Sequence, residues 1–318
     1  MAVLDTRVLR RQKIRNVAQG ALLLAAMVGV LGLAGWLLFG KQALLWVLAG
    51  GAIIALLRPR VPARWVLSMY GARPLPRHAA PHLHRIVAVL AQRAGLRYSP
   101  GLYYVASPTA NAFAVGEDDD AALAVTDGLL RRLTTRQLAG VLAHEVSHIR
   151  NGDTAIMSLS DSIGRFVQVM SYVGLASIIL TLPLTLSAGD PTPLLLSGVF
   201  VVLPNLVTLL QLALARSREY EADLEGVSLT GDPEGLAQGL IVLERLEGRI
   251  WERTMVPHGR SSDTLLLRTH PPTAERVRRL AELTPVRQRH LGVDRPVTLA
   301  GYPQVATAPR LRIPGIRW

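Results

Sequence analysis

Apolar residues gather in four long runs, and the segments between them follow helix- and strand-like periods. Residues 17–39 are uncharged over 23 positions, which at about 1.5 Å per residue reach roughly 35 Å, enough to cross the hydrocarbon core of a bilayer. A cleaved leader would be followed by a small-residue cleavage site and then polar sequence. Here Gly40-Lys41 leads straight into a second apolar run, 42–57, so residues 17–57 read as a transmembrane hairpin. Residues 166–188 and 194–215 form a second pair across the turn-like Gly189-Asp190-Pro191-Thr192-Pro193. Gln168, Asn205 and Gln211 make this pair the more polar one, and a buried hairpin in a soluble domain is its competing reading.

Between and after the runs, shorter elements follow. Leu83, Ile86, Val87 and Leu90 at helical spacing predict a helix over 81–94, closed by Gly95. Residues 102–106, 111–116 and 121–125 read as three short strands, the last two separated by the acidic turn 117–120. Thr134 or Thr135 caps a helix through Leu138, Val141, Leu142, Val146 and Ile149; Asn151-Gly152 stops it, and Asp153 caps the next. Further helices are expected over 216–229, from Asp232-Pro233 through Leu236, Leu240, Leu243, Leu246 and Ile250, and from Pro271-Pro272 to Leu283. The expected organisation is a basic N-terminus (1–16), a transmembrane hairpin (17–57), a first soluble part (58–153), a second hairpin (154–215), a second soluble part (216–284) and a basic tail (285–318).

Composition supports spans. Half the chain is hydrophobic and only 5% is aromatic, so the apolar mass is aliphatic. The net charge of +12 is explained by where the cations fall. Arg7, Arg10, Arg11, Lys13 and Arg15 precede the first run, Arg58, Arg60 and Arg64 follow the second, and Arg216 and Arg218 follow the fourth, whereas the opposite turns hold only Lys41 and Asp190. This positive-inside pattern puts both termini and the soluble parts in the cytoplasm. No aromatic-plus-basic nucleic-acid motif is visible, so no nucleic-acid partner is expected. The absence of cysteine excludes disulfides and thiolate metal sites, leaving His and carboxylate as ligands.

One pentapeptide carries chemistry. In His144-Glu145-Val146-Ser147-His148 the two imidazoles lie one turn apart on one helix face and can meet a single ion, with Glu145 placed to take a proton from water. A solvated histidine pair is the bland alternative. A catalytic zinc wants a third protein ligand. The positions where a metzincin would have Gly and His hold Asn151 and Thr154, so a downstream carboxylate is the natural choice. Among Glu219, Glu221 and Glu225, only Glu219 has an acid one turn on: Asp223 can accept the ring N–H of a ligand histidine while Glu219 binds the metal. A plain charged helix face is the competing reading. His78, His82 and His84 lack nearby carboxylates and read as solvated; His258 and His290 fall in loop and tail. His270, before Pro271-Pro272, reads as part of a helix cap that could also point toward the site, with Arg276 one and a half turns on.

These residues carry a resemblance. Asn111-Ala112-Phe113-Ala114-Val115-Gly116, Thr126–Leu130, the stretch from His144 to Asp153, Ser217-Arg218-Glu219-Tyr220-Glu221-Ala222-Asp223 and Thr269–Arg276 resemble, in order, the motifs of the HtpX group of membrane-bound zinc metallopeptidases. That group relates more distantly to the CAAX prenyl proteases. The resemblance implies a mainly α, α+β polytopic membrane protein: four transmembrane helices and a cytoplasmic gluzincin-type protease domain with a small edge-stranded sheet. It implies one zinc ion per chain on His144, His148 and Glu219, with Glu145 as general base. It also implies an edge strand, Asn111, Ala112, Phe113 and Ala114, that pairs with an extended substrate, and His270 and Arg276 steadying the transition state. The implied activity is endoproteolysis of misfolded membrane proteins, a quality-control role at the cytoplasmic face of a bacterial inner membrane. The sequence departs from the pattern at Val115, where Thr is expected, and in the Arg-rich tail, which has no counterpart. A prenyl-protein protease, or a membrane scaffold with a vestigial site, are the alternatives.

Overall fold

The computed structural model describes residues 6–40, 42, 62–189, 192–255 and 272–283, and among the described residues nine α-helices surround a four-stranded sheet. In chain order these are α1 (Thr6–Phe39), α2 (Ala63–Met69), β1 (Arg73–Pro74), α3 (Pro81–Arg93), β2 (Gly101–Val105), β3 (Ala112–Val115), β4 (Ala122–Thr126), α4 (Asp127–Arg132), α5 (Thr135–Asn151), α6 (Asp153–Ala188), α7 (Thr192–Thr230), α8 (Pro233–Met255) and α9 (Thr273–Ala281).

The sheet runs β1-β2-β4-β3, with β2 parallel to β4 and both outer pairs antiparallel. Period-2 alternation divides its side chains between two layers. Leu102, Tyr104, Leu123 and Val125 point toward α3 and α5 and join Leu83, Val87, Leu138, Leu142 and Val146 in the main core. Val105, Ala122 and Ala124 point the other way, onto Ala63 and Leu67 of α2. With both faces covered, every residue of β4 is buried. β3 is left as an edge. Three of the strands match the expected positions; β1, only two residues long and containing Pro74, carries no periodicity from which to find it.

α5 begins and ends on local signals. Thr134 and Gln137 form a reciprocal capping box, and Gly152 closes the helix at φ 64°, a left-handed conformation that suits glycine. The chain turns there and enters α6 at once.

Three helices are long and apolar enough to cross a membrane, over Leu9–Leu37, Asp153–Leu180 and Gly198–Thr230. They pack on one another through Met27, Ile163, Val167, Phe200, Leu203, Val207 and Leu214. Their outer faces stay apolar and exposed, Leu22, Phe166, Ile179, Leu180, Leu195 and Leu209 among them. A hairpin buried in a soluble domain would hide these side chains, so the competing reading of the second pair does not fit; a lipid environment does. The second run, 42–57, lies outside the described residues except for Gln42. The expected break at residue 216 is absent: α7 passes from apolar run to charged segment as one continuous helix.

Candidate metal centre

α5, α6, α7 and α9 meet at one point. α5 presents His144 and His148, whose rings stand edge to face with centroids 4.7 Å apart. α7 presents Glu219. Its carboxylate lies 3.5 Å from His144 Nε2 and 3.7 Å from His148 Nε2, and the two Nε2 atoms are 3.2 Å apart. One ligand atom from each residue falls within 4.8 Å of the others. Tetrahedral zinc with ligands at 2.0–2.2 Å needs donor atoms about 3.3–3.6 Å from one another. The donor types and their spacing fit that ion.

The other ring nitrogens are held from behind. His148 Nδ1 is 2.6 Å from Asp153 Oδ2, and His144 Nδ1 is 3.0 Å from Asp223 Oδ1. Each carboxylate orients its imidazole so that Nε2 faces the shared point. Both acids are themselves clamped by arginine. Arg218 Nε donates to Asp153 Oδ1 at 2.5 Å, and Arg276 donates to Asp223 from Nε and Nη2 at 2.7 and 2.6 Å. Arg276 Nη1 also lies 3.3 Å from Glu219. Burial works against the charge on His144, but Asp223 and Glu219 outweigh it and raise its pKa from 6.5 to about 10. Burial likewise opposes the charge on Arg276, and Asp223 overcomes it, so the guanidinium stays protonated.

Glu145 faces the sheet. Its Oε2 accepts a hydrogen bond from the Ala114 backbone N–H at 3.1 Å. Antiparallel pairing explains why that amide is free to donate. Asn111 exchanges bonds with Thr126, so Asn111 and Phe113 turn their backbone groups toward β4, and Ala112 and Ala114 turn theirs to the open edge. Of the four residues expected along this strand, only these two turn their backbone groups to the open edge, and the Ala114 N–H there is taken by Glu145.

His144, Glu145, His148, Glu219, Asp223 and Arg276 thus converge, and the Ala112–Ala114 edge lies beside them. His270 falls outside the described residues, as do His258 and His290. Glu225 turns away from the ion position to Lys13, 2.8 Å away, and to Arg150; the buried Glu221 lies 3.9 Å from Lys13. His84, expected to be solvated, is partly buried and its Nε2 contacts the Leu75 carbonyl at 2.8 Å. Sequence reasoning missed the orienting place of Asp153, taken only as a cap, and the link from Ala114 to Glu145. It also missed Ser147, whose Oγ lies 2.6 Å from the His144 carbonyl and 3.1 Å from that of Ala222, tying α5 to α7.

Residues 77–284 match the family described as Peptidase family M48. The chain is similar to a "Protease HtpX homolog" of Sulfurihydrogenibium sp., 34% identical over 286 residues, covering 84% of this chain and 96% of that protein. It is similar to the "Protease HtpX" of Legionella pneumophila at 32% identity, with 81% and 96% covered, and to a homologue from Pyrococcus furiosus at 35%, with 82% and 94% covered. Among solved structures, the crystal structure of S. mikatae Ste24p shows a distant likeness, at 18% identity and a TM-score of 0.48, over 85% of this chain and 66% of that one.

Proposed function

This chain belongs to peptidase family M48 and is a membrane metalloprotease, and on that premise we propose that it is a zinc endopeptidase acting on misfolded or damaged membrane proteins. In this reading His144, His148 and Glu219 hold zinc and Glu145 is the general base. The observation that carries it is the convergence of three ligand atoms within 4.8 Å beside a glutamate that faces an open strand edge.

When bound, zinc would polarise water and the scissile carbonyl. The chain's own groups supply the rest. An extended substrate pairs with the N–H and C=O groups of Ala112 and the C=O of Ala114, whose N–H holds Glu145, and this aligns its backbone across the ligand cluster. Glu145 takes the proton of the attacking water and hands it to the leaving amine. Asp153 and Asp223 hold the two imidazoles in one tautomer. Arg276 is engaged with Asp223 and Glu219, so we assign it a positioning role on the ligand set. His270 remains our candidate for steadying the oxyanion. The cytoplasmic placement of the site rests on the distribution of arginines around the apolar runs, and the bacterial inner membrane as its location rests on the resemblance to the HtpX group.

Glu145→Gln in the full chain in detergent tests the proposal. Cleavage of an unfolded protein should fall by at least about a hundredfold, the scale of general acid–base catalysis, while zinc stays near one per chain. A variant that cuts as fast as the wild type would remove Glu145 from its role.

A further inference from the structure

Helix α2 has two unlike sides. Ala63 and Leu67 are buried against the sheet, whereas Trp65, Met69 and Tyr70 stand 61%, 70% and 59% exposed. Trp65 and Met69 are one helical turn apart and Tyr70 adjoins Met69, so the three make one patch. Large apolar side chains grouped on a surface mark something that covers them. The Tyr70 ring lies 4.9 Å from that of Phe113, which joins the patch to β3.

Charge indicates the partner. No Asp or Glu occurs from Thr6 to Gly116, while residues 62–116 carry six arginines. Arg64 on α2, and Arg73 and Arg77 just after it, are exposed. The apolar run 42–57 ends six residues before Ala63, so α2 begins within about 20 Å of that run's end even on a fully extended chain. Tryptophan and tyrosine beside arginine, close in sequence to a long apolar run, are the composition of a membrane–water boundary.

We propose that the outer face of α2 lies in the headgroup layer of the bilayer, with Trp65, Met69 and Tyr70 inserted and Arg64, Arg73 and Arg77 against lipid phosphates. This holds the β3 edge at the membrane surface, where a polypeptide leaving the bilayer meets it. The acidic turn 117–120 abuts the start of α2, Asp120 Oδ2 accepting from the Ala63 N–H at 2.6 Å. A peptide is the other chemistry that could cover the patch, but nothing requires a peptide to be anionic, whereas a cytoplasmic leaflet is. The inference rests on the chain's membrane character and not on the assignment of catalytic residues.

Fluorescence of the full chain with Trp65 as its single tryptophan tests it, with Trp36, Trp46, Trp251 and Trp318 changed to Phe. In vesicles of phosphatidylcholine and phosphatidylglycerol, Trp65 emission should be blue-shifted and quenched more by lipids brominated near the headgroup than near the chain end. Removing phosphatidylglycerol should weaken the quenching. Met69→Cys in this cysteine-free chain gives a second reading: a water-soluble maleimide should react about fivefold or more slowly in vesicles than in detergent, as for a side chain at the interface. Water-like, unquenched Trp65 emission together with equal labelling rates would overturn the proposal. So would a Trp65 indifferent to brominated lipid that shifts on adding an unfolded peptide, which would make α2 a substrate surface.

Discussion

Asp153 and Asp223 approach the ion position from opposite sides, and each joins a histidine to an arginine. Both carboxylates are buried, and the arginine beside each offsets the cost of burying its charge. The two histidines inherit this arrangement. His144 carries its proton far above the usual range in the metal-free protein, with a folded pKa of about 10 against 6.5. A pKa raised on folding means stabilisation that is complete below about 6.5 and is lost as the pH rises through about 10. An ion at Nε2 must displace that proton, so metal binding strengthens over the same range. Metal-stripped protein in detergent is therefore expected to melt lower at about pH 9.5 than at about pH 6, while chelator competition shows tighter zinc binding at the higher pH. A metal-free melting temperature that is flat or rises across that range would contradict the assignment of the charge to His144.

Element packing sets the distance between the histidines and Glu219. A Cβ added at Gly226 on α7 would meet His144 N at 3.0 Å, His144 Cα at 3.2 Å and Ala143 C at 3.3 Å, all backbone of α5. Only glycine lets the two helices approach this closely. Gly226→Ala gains about 0.5–1 kcal/mol of helix propensity but overpacks a rigid contact, which costs about 1–3 kcal/mol. The clash wins. Relief comes by moving α7 away from α5, which draws Glu219 off the histidines, so zinc affinity should fall more than stability does. A variant with wild-type zinc affinity and a raised melting temperature would show that the helices do not need this approach. Element types were largely legible in the sequence because they rest on local signals. The Thr134 cap, the Gly152 stop and the pairing of Glu219 with Asp223 are all short-range patterns. Asp153 was harder, because its contact with His148 depends on the left-handed turn at Gly152 between α5 and α6. The unbroken length of α7 was hidden for another reason: the switch from apolar to charged at residue 216 records a change of surroundings, and helicity does not follow surroundings.

Across the whole molecule, the candidate spans and the candidate metal site share their helices. α6 starts at Asp153 beside the site and continues as a candidate span, and α7 carries both a candidate span and Glu219. α1 adds a brace. Its Leu9 packs into the cluster of Leu224, Leu236, Leu240, Leu280 and Leu283, and Gln12 Nε2 donates to Glu282 at 3.0 Å. The cluster includes Leu280 of α9, the hydrogen bond reaches the turn after it, and α9 carries Arg276. Nine residues of helix have little stability of their own. Half-burying a leucine contributes about 1 kcal/mol, and a hydrogen bond to a charged group about 1.5–3 kcal/mol. Together they are large enough to decide whether α9 stays docked. Leu9→Ser with Gln12→Ala removes both while leaving every flanking arginine and lysine, and hence the insertion signal, intact. Amide exchange over residues 273–281 should then speed up, and zinc affinity should drop as Arg276 loosens its hold on Asp223. Faster exchange with unchanged zinc affinity would separate α9 from the ligand set. Unchanged exchange would show that the first turns of α1 only anchor the chain.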